Sequence, residues 1–582
     1  MTFLYPDMFC KTWHHYQYGI AQLSACLKQA GHTTDLIHMN EPVGREEFIA
    51  DLQRRGTEVL ALSTTSGQFP YVMDPIRWAR EDLKDLHVIA GGIHPTLAPQ
   101  DTMDAVPVHA VAVGECEEAI VEYVDALQAG RDRSSIANFW VRKENGEIAR
   151  NLQRPLLEEL DRLPMCDHDI FDFRHILSLT CGEASVMATR GCPFRCAYCS
   201  NEAKLDIQAG LGDNMRYRSA KSVLDEICHI RDTYDAKSMY FIDDIFTMNR
   251  EWLAEFCEEY GKRCKLPFKI QIQVKTVDYE RLAMMKEVGL YSIVVGVESG
   301  DPEIRRKVLA KRISNDDIRR VFCDADSLGI ETGSYNIIGI PGETEESIQR
   351  SIDFNREINP NRSIISIFTP FPGTSLYDEC VREGLVEHYT KASYFDRASF
   401  LKIPGISQER LIEMHDEFVR SALEISEKKT HRGYFNFLAN LERAHVNTQN
   451  EDYVYITAPR IDSVERKSVC SHPFSELRYG LKLREGSRLR FGIAMDPSVW
   501  DPEKGSGVIF RVELRSGLRR QKLFEKAIDP KRIEDDRHWF NEEVDLSRWG
   551  GKSVKLYFST HAAGDRNDFC SSYWAEPHLV AA

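Results

Sequence analysis

Short apolar runs alternate with amphipathic stretches in the first part of the chain. In residues 1–130, runs such as TFLYP and EVLALSTTS are typical of strands, and stretches such as GIAQLSACLKQAGH have helical periodicity. Alternating strands and helices predict a doubly wound parallel sheet, which binds ligands at the carboxyl ends of its strands. We therefore predict a Rossmann-like domain over residues 1–130.

The same alternation begins again near residue 185. Six apolar runs, from EASVMATRG to RSIISIFTPFPGT, are separated by amphipathic stretches and end before residue 400. This repetition predicts a partial (β/α)6 TIM-like barrel over residues 185–400, with reactive groups at the carboxyl ends of its strands. Residues 131–184, between the two alternating regions, form a predicted linker with a hairpin around Asn-Gly.

The pattern changes after the barrel. Residues 401–450 have mainly helical periodicity and form a predicted helical extension. In residues 451–582, runs such as LRYGLKL, SRLRFGIAM and SVKLYFST are joined by turns rich in Gly, Asp and Ser. This predicts an all-β jelly-roll sandwich, and the whole chain is an α/β multidomain protein.

Composition narrows the class of protein. The chain has 582 residues and a formal net charge of −16, which suits several domains and argues against nucleic-acid binding. No apolar run is long enough to span a bilayer, so we expect no stable membrane insertion. The first residues, MTFLYPDMF, lack the pattern of a secretory signal, and we expect a cytoplasmic protein.

Three cysteines have the spacing of metal ligands. The stretch RGCPFRCAYCSNE places Cys192, Cys196 and Cys199 directly after the first predicted barrel strand. A structural zinc ion needs four ligands, so zinc requires a distant fourth residue. A 4Fe–4S cluster held by three thiolates instead keeps one iron open for chemistry. Both alternatives remain open on spacing alone.

With Tyr198 before its last cysteine, this loop resembles the signature of the radical S-adenosylmethionine (radical SAM) superfamily. The resemblance implies that the open iron of a 4Fe–4S cluster chelates the amino and carboxylate groups of S-adenosylmethionine. An electron then cleaves the sulfonium to give a 5′-deoxyadenosyl radical. It also implies an external electron donor such as flavodoxin or ferredoxin, and Tyr198 would shield the cluster or face an adenine ring.

The barrel strand ends supply further cofactor-binding candidates. The resemblance places groups for the cofactor's amino group, carboxylate, ribose and adenine there, and the matching residues are Asp243, Asp244, Lys275, Glu298, Ser299, Ile338 and Gly339. Two of these sites have simpler interpretations. The aspartates are also suited to capping the next helix, and Lys275 to a solvated surface.

Substrate-binding candidates lie on two loops. Arg216 and Arg218, in NMRYRSAKSV, are suited to a carboxylate or phosphate on the substrate or a cofactor, or to pairing with acidic surface groups. Pro370 and Phe371, in FTPFPGTSLY, belong to a rigid loop that forms a predicted substrate wall, or an ordinary tight turn. No residue in either loop identifies the substrate, which we expect to be a small molecule.

A doubly wound domain before such a barrel resembles the domain of cobalamin-dependent radical SAM enzymes. The small and polar residues that carry this resemblance follow three strands, namely Ser63, Thr64, Ser66, Gly91, Gly92, His94, Gly114 and Glu115. The cobalt-ligating motif Asp-x-His-x-x-Gly is absent, because Tyr16 and His14 occupy its His and Asp positions and His15 is one residue out of register. A domain that has lost its ligand is the alternative.

The C-terminal residues resemble galactose-binding-like sandwiches. The residues that carry this resemblance are Trp539, Asp545, Leu546, Trp549, Gly550, Trp574 and Pro577. Tryptophans in such a domain are better explained as core residues than as a sugar-binding platform.

Together these features predict a cobalamin-dependent radical SAM enzyme. The expected reaction is C-methylation of an unactivated carbon in a small molecule or natural product. One alternative is a non-methylating oxidative cyclase or ring-forming enzyme of the same class. The alternative from another class is a zinc-stabilised glycan-binding scaffold.

Overall fold

A computed structural model defines the fold. It describes residues 1–8, 15–386, 401–429, 435–438, 440–441, 444–450, 453–461, 464–503, 505–517, 519–564, 566 and 570–580. His14 and the last residues of the predicted barrel range, 387–400, lie outside the described residues. The chain divides into two compact units, Met1–Leu177 with Gly182–Ile425, and Ser178–Cys181 with Ser426–Ala582.

The N-terminal part is a seven-stranded sheet with the order β2-β1-β3-β4-β5-β6-β7. Its strands are β1 (Thr2–Pro6), β2 (Asp35–Met39), β3 (Val59–Ser63), β4 (His87–Gly91), β5 (Ala110–Ala112), β6 (Phe139–Arg142) and β7 (Ile148–Arg150). Its helices are α1 (Tyr18–Gln29), α2 (Arg45–Arg54), α3 (Phe69–Asp82), α4 (Ile93–Leu97), α5 (Pro99–Ala105) and α6 (Glu117–Gln128). The first five strands are parallel, as the alternation of strands and helices predicts.

The hairpin β6–β7 belongs to this sheet and not to a separate linker. β6 pairs antiparallel with β5, with Val141 opposite Ala110 and Phe139 opposite Ala112. Phe139 and Val141 are buried in the core of the domain. The sheet therefore continues past the predicted boundary at residue 130, because the apolar face of the hairpin covers its edge.

The central part is a six-stranded parallel sheet in strict sequence order, a half-barrel. Its strands are β8 (Glu183–Val186), β11 (Ser238–Phe241), β12 (Phe268–Ile272), β13 (Leu290–Glu298), β14 (Glu331–Ile338) and β15 (Arg362–Ile367), with a small antiparallel pair, β9 (Thr189–Arg190) and β10 (Arg216–Tyr217), near its first strand. This confirms the predicted barrel.

Helices α7 to α14 connect the strands of the half-barrel. They are α7 (Phe173–Leu179), α8 (Ser200–Ile207), α9 (Ala220–Tyr234), α10 (Arg250–Arg263), α11 (Tyr279–Glu287), α12 (Asn315–Ser327), α13 (Glu345–Ile358) and α14 (Ser375–Arg382), and a π-helical turn spans Ile304–Val308. Polar residues begin most of them. The side chains of Ser314 and Thr344, for example, accept hydrogen bonds from the third backbone N–H of α12 and α13.

The helical extension is shorter than its periodicity predicts. α15 (Gln408–Lys429) is followed by β16 (Phe435–Asn436) and β17 (His445–Thr448), which pair with strands of the sandwich. Phe435 and Phe437 are buried in the sandwich core. The prediction of helix up to residue 450 was therefore wrong, because these apolar side chains complete a β core.

The C-terminal unit is a sandwich of two antiparallel sheets, as predicted. Its further strands are β18 (Val454–Thr457), β19 (Arg460–Ile461), β20 (Val464–Glu465), β21 (Ser468–Ser471), β22 (Ser475–Lys482), β23 (Arg488–Met495), β24 (Val508–Ser516), β25 (Arg519–Ile528), β26 (Phe540–Asp545), β27 (Ser553–Ala562) and β28 (Ser572–Val580). One sheet has the order β18-β21-β28-β23-β26, with β16 beside β28, and the other β17-β22-β27-β24-β25. Trp574 lies between them, fully buried, as a core tryptophan should.

In the part of the chain that the structure describes, no helix has the length and apolarity needed to span a membrane.

Candidate active site

The loop of the three cysteines is held by backbone contacts on all sides. Gly191 has φ +95°, and a Cβ there would overlap the backbone of Asn214. The Asn214 side chain accepts a hydrogen bond from the Cys192 N–H (3.0 Å), and the Ala197 N–H donates to the carbonyl of Leu309 (3.0 Å). Cys199 then begins α8 as its N-cap residue. The loop is thus fixed at the carboxyl end of the first barrel strands, where its motif predicts it.

All three cysteines face one cavity of about 650 Å³, the cysteine cavity. Besides the cysteines, its lining includes Tyr198, Asp243, Asp244, Gln271, Lys275, Gly296, Glu298, Lys311, Arg312 and Tyr335. These residues come from the ends of several barrel strands. The structure therefore brings five other predicted residues together with the cysteines, namely Tyr198, Asp243, Asp244, Lys275 and Glu298.

The thiols suit a positively charged metal group. Burial raises the pKa of Cys192 to about 12 and that of Cys196 to about 11, and the neighbouring cysteine charges add to both shifts. Thiolates are stable here only beside a compensating positive charge, which a bound metal supplies. Three thiols are one ligand short of a structural zinc site, whereas in a 4Fe–4S cluster they would leave one iron open, so the loop suits the cluster.

Asp243 offers the cavity a buried carboxylate with one free oxygen. Its Oδ1 accepts hydrogen bonds from the backbone N–H groups of Ala188 (3.0 Å) and Thr189, while Oδ2 has no partner. Burial raises the pKa of Asp243 to about 7. A buried oxygen without a donor is costly, so a ligand with an amino or hydroxyl group fits this position. Asp243 does not cap the next helix, α10, which is the simpler interpretation, because Asn249 is the N-cap residue of that helix.

Glu298 is held in a strained conformation at the end of β13. Its φ is +64°, in the left-handed region that a side chain disfavours. The carboxylate accepts hydrogen bonds from the Tyr198 hydroxyl (3.0 Å) and the Lys311 ammonium (2.8 Å). Gly296 leaves the space for this arrangement, because a Cβ there would overlap Glu298 and lie 2.5 Å from Lys311 Nζ. The three side chains form a fixed polar wall of the cysteine cavity.

Three predicted cofactor residues do not line the cysteine cavity. Ser299 is buried and its hydroxyl lies 3.3 Å from Ser351 on α13. Ile338 is fully buried in an apolar cluster, and a Cβ on Gly339 would lie 3.0 Å from Leu411 of α15. Ser299 and Gly339 each follow the last residue of their strand, and Ile338 packs into the apolar cluster, neither of which a short motif reveals.

A second cavity, of about 390 Å³, lies against the carboxyl ends of β3, β4 and β5. We call it the small-residue cavity because its lining includes Ser63, Gly91, Gly92, Ala112 and Gly114. A Cβ on Gly92 (φ +96°) would lie 2.6 Å from the backbone nitrogen of Thr64. Gly92 is thus required by the packing of its own chain, while the short side chains at Ser63, Gly91 and Ala112 leave room at this edge for a bulky ligand such as cobalamin.

The other predicted cobalamin residues of this edge are buried and do not line the small-residue cavity. His94 Nδ1 lies 3.1 Å from Ser66 Oγ, and burial lowers the pKa of His94 to about 4. His94 Nε2 and Thr64 Oγ1 are buried without a hydrogen-bond partner. Because neither residue lines the small-residue cavity, contacts to cobalamin would come from the residues that do line it.

Tyr16 and His15, at and next to the position of the cobalt-ligating histidine, contact other residues. Tyr16 is stacked on His168 with ring centroids 5.4 Å apart, within an aromatic cluster. His15 Nδ1 lies 2.8 Å from Asp7 Oδ1, and the His15 side chain is 46% exposed. Neither residue lines the small-residue cavity.

Glu115 links the two domains through arginines. Its carboxylate pairs with Arg216 (2.5 Å) and Arg190 (3.0 Å), and Arg190 also pairs with Glu117 (2.6 Å). Burial opposes the charge, but the hydrogen bonds from Arg216 and the charge of Arg190 hold the pKa of Glu115 below its ordinary value. Glu115 and Arg216 still line the small-residue cavity. For Arg216, the structure favours pairing with an acidic residue over the predicted contact with substrate.

The other predicted substrate residues lie away from both cavities. Arg218 is buried, pairs with Glu226 and hydrogen-bonds to the Met187 carbonyl (3.0 Å). Pro370 and Phe371 do not line either cavity, and Gly373 of the same loop packs against Leu97 of α4. Arg218 also donates a hydrogen bond to the Tyr18 hydroxyl of α1 (3.2 Å), so both segments contact the N-terminal domain.

The two cavities share a wall. Ile242 and Asp244, which follow β11, line both the cysteine cavity and the small-residue cavity. Asp244 Oδ2 lies 3.5 Å from Lys204 Nζ of α8, and Lys204 also lines the small-residue cavity. A molecule at this wall would contact both cavities at once.

Comparison with protein families agrees with this layout. Residues 186–354 match the model of the radical SAM superfamily, and residues 12–124 match the B12 binding domain. The chain therefore contains a radical SAM domain and a B12 binding domain. The cofactors of these domains are a 4Fe–4S cluster, S-adenosylmethionine and cobalamin. The zinc-stabilised scaffold was the wrong alternative, while the galactose-binding-like resemblance stays a prediction.

Among similar proteins, an uncharacterised methyltransferase of Pyrococcus horikoshii is 24% identical over 398 residues, which is 68% of this chain and 85% of that protein. An anaerobic magnesium-protoporphyrin IX monomethyl ester cyclase of Rubrivivax gelatinosus is 24% identical over 372 residues, 62% of this chain and 65% of the cyclase. The radical SAM methyltransferase TsrM of Kitasatospora setae has the same fold, with a TM-score of 0.55 at 17% identity over 66% of this chain and 76% of TsrM.

Sequence patterns missed Lys311, Arg190 and Lys204. Lys311 lies thirteen residues after Glu298, beyond a π-helical turn, so only the fold brings the two together. The sequence could have indicated Arg190, because this residue lies two positions before the first cysteine of the motif. It could also have indicated Gly296, which lies two residues before Glu298 on the same strand and so faces the same side.

Proposed function

We propose that this chain is a methyltransferase that transfers a methyl group to an unactivated carbon of a small molecule. The single observation that carries this proposal is the wall shared by the cysteine cavity and the small-residue cavity. When bound, S-adenosylmethionine and the cluster supply a radical that removes a hydrogen atom, and cobalamin supplies the methyl group. A substrate carbon at Ile242 and Asp244 is within reach of both cavities.

The side chains of this protein have distinct parts in that reaction. Cys192, Cys196 and Cys199 would hold the cluster. Asp243 Oδ2, buried and without a partner, would accept a hydrogen bond from the amino group of S-adenosylmethionine. Glu298, fixed by Tyr198 and Lys311, would orient the rest of that cofactor by hydrogen bonds.

The small-residue edge would hold cobalamin. Ser63, Gly91, Gly92 and Gly114 let the ligand approach the backbone, and Glu115 is fixed by the two arginines. The apolar side chains of Ile242 and Met187 exclude water from the side nearest the barrel. We further propose a cytoplasmic enzyme that takes electrons from flavodoxin or ferredoxin.

Similarity to the cyclases makes a non-methylating reaction the second candidate. Anaerobic purification with iron, sulfide and cobalamin assays tests the cofactors, and product mass tests the reaction. A gain of one CH₂ in the product supports methylation. Release of 5′-deoxyadenosine with a product that gains no CH₂ would refute methylation and favour the cyclase class.

A further inference from the structure

A row of positive charges crosses the second sheet of the C-terminal sandwich. Lys555 of β27 is directly opposite Arg515 of β24, and Arg515 is directly opposite Arg520 of β25. Like charges in directly opposite positions of a sheet destabilise it. The row also contrasts with the chain as a whole, whose formal net charge is −16.

Only one end of this row is neutralised. Arg520 pairs with Glu476 and Glu513, and its guanidinium lies 3.9 Å from the ring centroid of Tyr557. Lys555 and Arg515 have no carboxylate partner among the described residues. Arg515 Nε donates to the carbonyl of Gly517 (3.1 Å), which leaves its two terminal nitrogens free to bind a ligand.

The unpaired cations surround a groove of about 490 Å³, the sandwich groove, lined by Gly480, Lys482, Arg515, Gly517, Ser553 and Lys555 among others. Lys482, at the end of β22, likewise has no carboxylate partner within the described part of the chain. Nothing lies within 4 Å of the Cβ positions of Gly480 and Gly517, so the floor of the groove is open.

We propose that the sandwich groove binds a multiply charged phosphate group, such as the diphosphate of a small molecule. Three cations line this groove without a carboxylate partner among the described residues, and a single carboxylate would neutralise only one of them. The planar guanidinium of Arg515 matches two oxygens of a phosphate, while Lys482 and Lys555 act as point charges. Ser553 adds a hydroxyl group at the same edge. This site is independent of the reaction proposed above.

Titration calorimetry of the full-length protein with sodium pyrophosphate tests the proposal. We expect one saturable site, weakened about tenfold to a hundredfold by Arg515→Gln and by Lys555→Gln. Lys522→Gln is the matched control, because Lys522 lies on β25 and is paired with Glu525 (2.7 Å). Its affinity should stay within about twofold of the unmodified protein.

Two further measurements, of citrate binding and of thermal stability, distinguish recognition of phosphate from a general attraction of anions. We expect citrate to bind at least about tenfold more weakly than pyrophosphate, since three spread carboxylates do not match the groove. Without ligand, Lys555→Gln should melt no lower than the unmodified protein, because it relieves the repulsion with Arg515. Absence of pyrophosphate binding, equal binding of citrate, or an equal loss in Lys522→Gln would each overturn the proposal.

Discussion

The hydroxyl of Tyr198 donates a hydrogen bond of 3.0 Å to Oε1 of Glu298, across 100 residues of sequence. Lys311 donates to the same oxygen at 2.8 Å. The bond joins the cysteine loop to the end of the fourth barrel strand. It also explains how a buried carboxylate in a strained conformation keeps one orientation.

Replacing Tyr198 by Phe should separate this contact from general stability. A hydrogen bond to a charged group contributes about 1.5–3 kcal/mol, so we expect the free energy of unfolding to fall by that amount. Because Glu298 then loses one of its two donors, binding of S-adenosylmethionine should weaken about tenfold, while iron content stays unchanged. Equilibrium dialysis of the reconstituted protein measures the affinity.

The chain offers a matched control for this variant. At the amino end of the same sheet, Tyr291 donates to Glu183 (2.8 Å), which also pairs with Lys269 (2.6 Å). Tyr291→Phe should lower stability by a similar amount and leave binding of S-adenosylmethionine unchanged. Equal weakening of binding in both variants would show that Tyr198 acts only through stability.

Removal of one cysteine should abolish the cluster. In Cys196→Ala, two thiolates cannot hold the iron, so we expect loss of iron, of acid-labile sulfide and of 5′-deoxyadenosine release. Cys323→Ala is the control, because Cys323 is exposed on α12 and lies in a different part of the barrel. Metal and sulfide assays after anaerobic reconstitution check both variants, and full iron content in Cys196→Ala would contradict the assignment.

Asp243 should make cofactor binding depend on pH. Its pKa of about 7 means that it is mostly protonated at pH 6 and mostly ionised at pH 7.5. An ionised carboxylate accepts the N–H hydrogen bond of the iron-chelating amino group more strongly than the neutral acid does, so the affinity for S-adenosylmethionine should rise by up to about eightfold between these values.

The variant Asp243→Asn provides the control for this pH dependence. The amide does not titrate, so the change in affinity between pH 6 and pH 7.5 should disappear. In the cofactor-free protein the raised pKa has the opposite consequence, since stability should fall as the pH rises from about 4 through 7. A pH dependence that persists in Asp243→Asn would assign the titration to another group.

Most of the fold was predictable because its patterns are local. The alternation of apolar strands and amphipathic helices gave the parallel sheets, and Asn-Gly gave the hairpin. The sandwich membership of Phe435 and Phe437 was not predictable, because their burial depends on strands far along the chain. The membership of the hairpin in the first sheet was missed for the same reason.

The sequence identified residues of the site only where they belong to a recognisable motif or follow a predicted strand. The cysteine spacing led to the right cavity, and strand ends led to Asp243 and Glu298. Ser299, Ile338 and Gly339 do not line the cysteine cavity, because Ser299 and Gly339 follow the ends of their strands and Ile338 packs into an apolar cluster. Arg218 failed because its partner Glu226 lies on α9 in a region where the sequence shows only a helical pattern.

Arg216 and Arg218 allow a direct comparison of two buried arginines. Removing Arg218 leaves Glu226 buried with only His168 beside it, so Arg218→Met should cost about 3–5 kcal/mol of stability. Arg216→Met should cost less, since Arg190 still neutralises Glu115.

The affinity for cobalamin should show the reverse order, with Arg216→Met more affected than Arg218→Met. Arg216 lines the small-residue cavity and fixes Glu115 there, whereas Arg218 does not line it. We therefore expect Arg216→Met to weaken cobalamin binding about tenfold, the loss of roughly one charged hydrogen bond, and Arg218→Met to leave it unchanged below its melting temperature. Cobalamin titration followed by absorbance, at a temperature where both variants are folded, measures this. If Arg218→Met releases cobalamin as readily as Arg216→Met, the affinity follows stability and Arg216 has no separate part in the site.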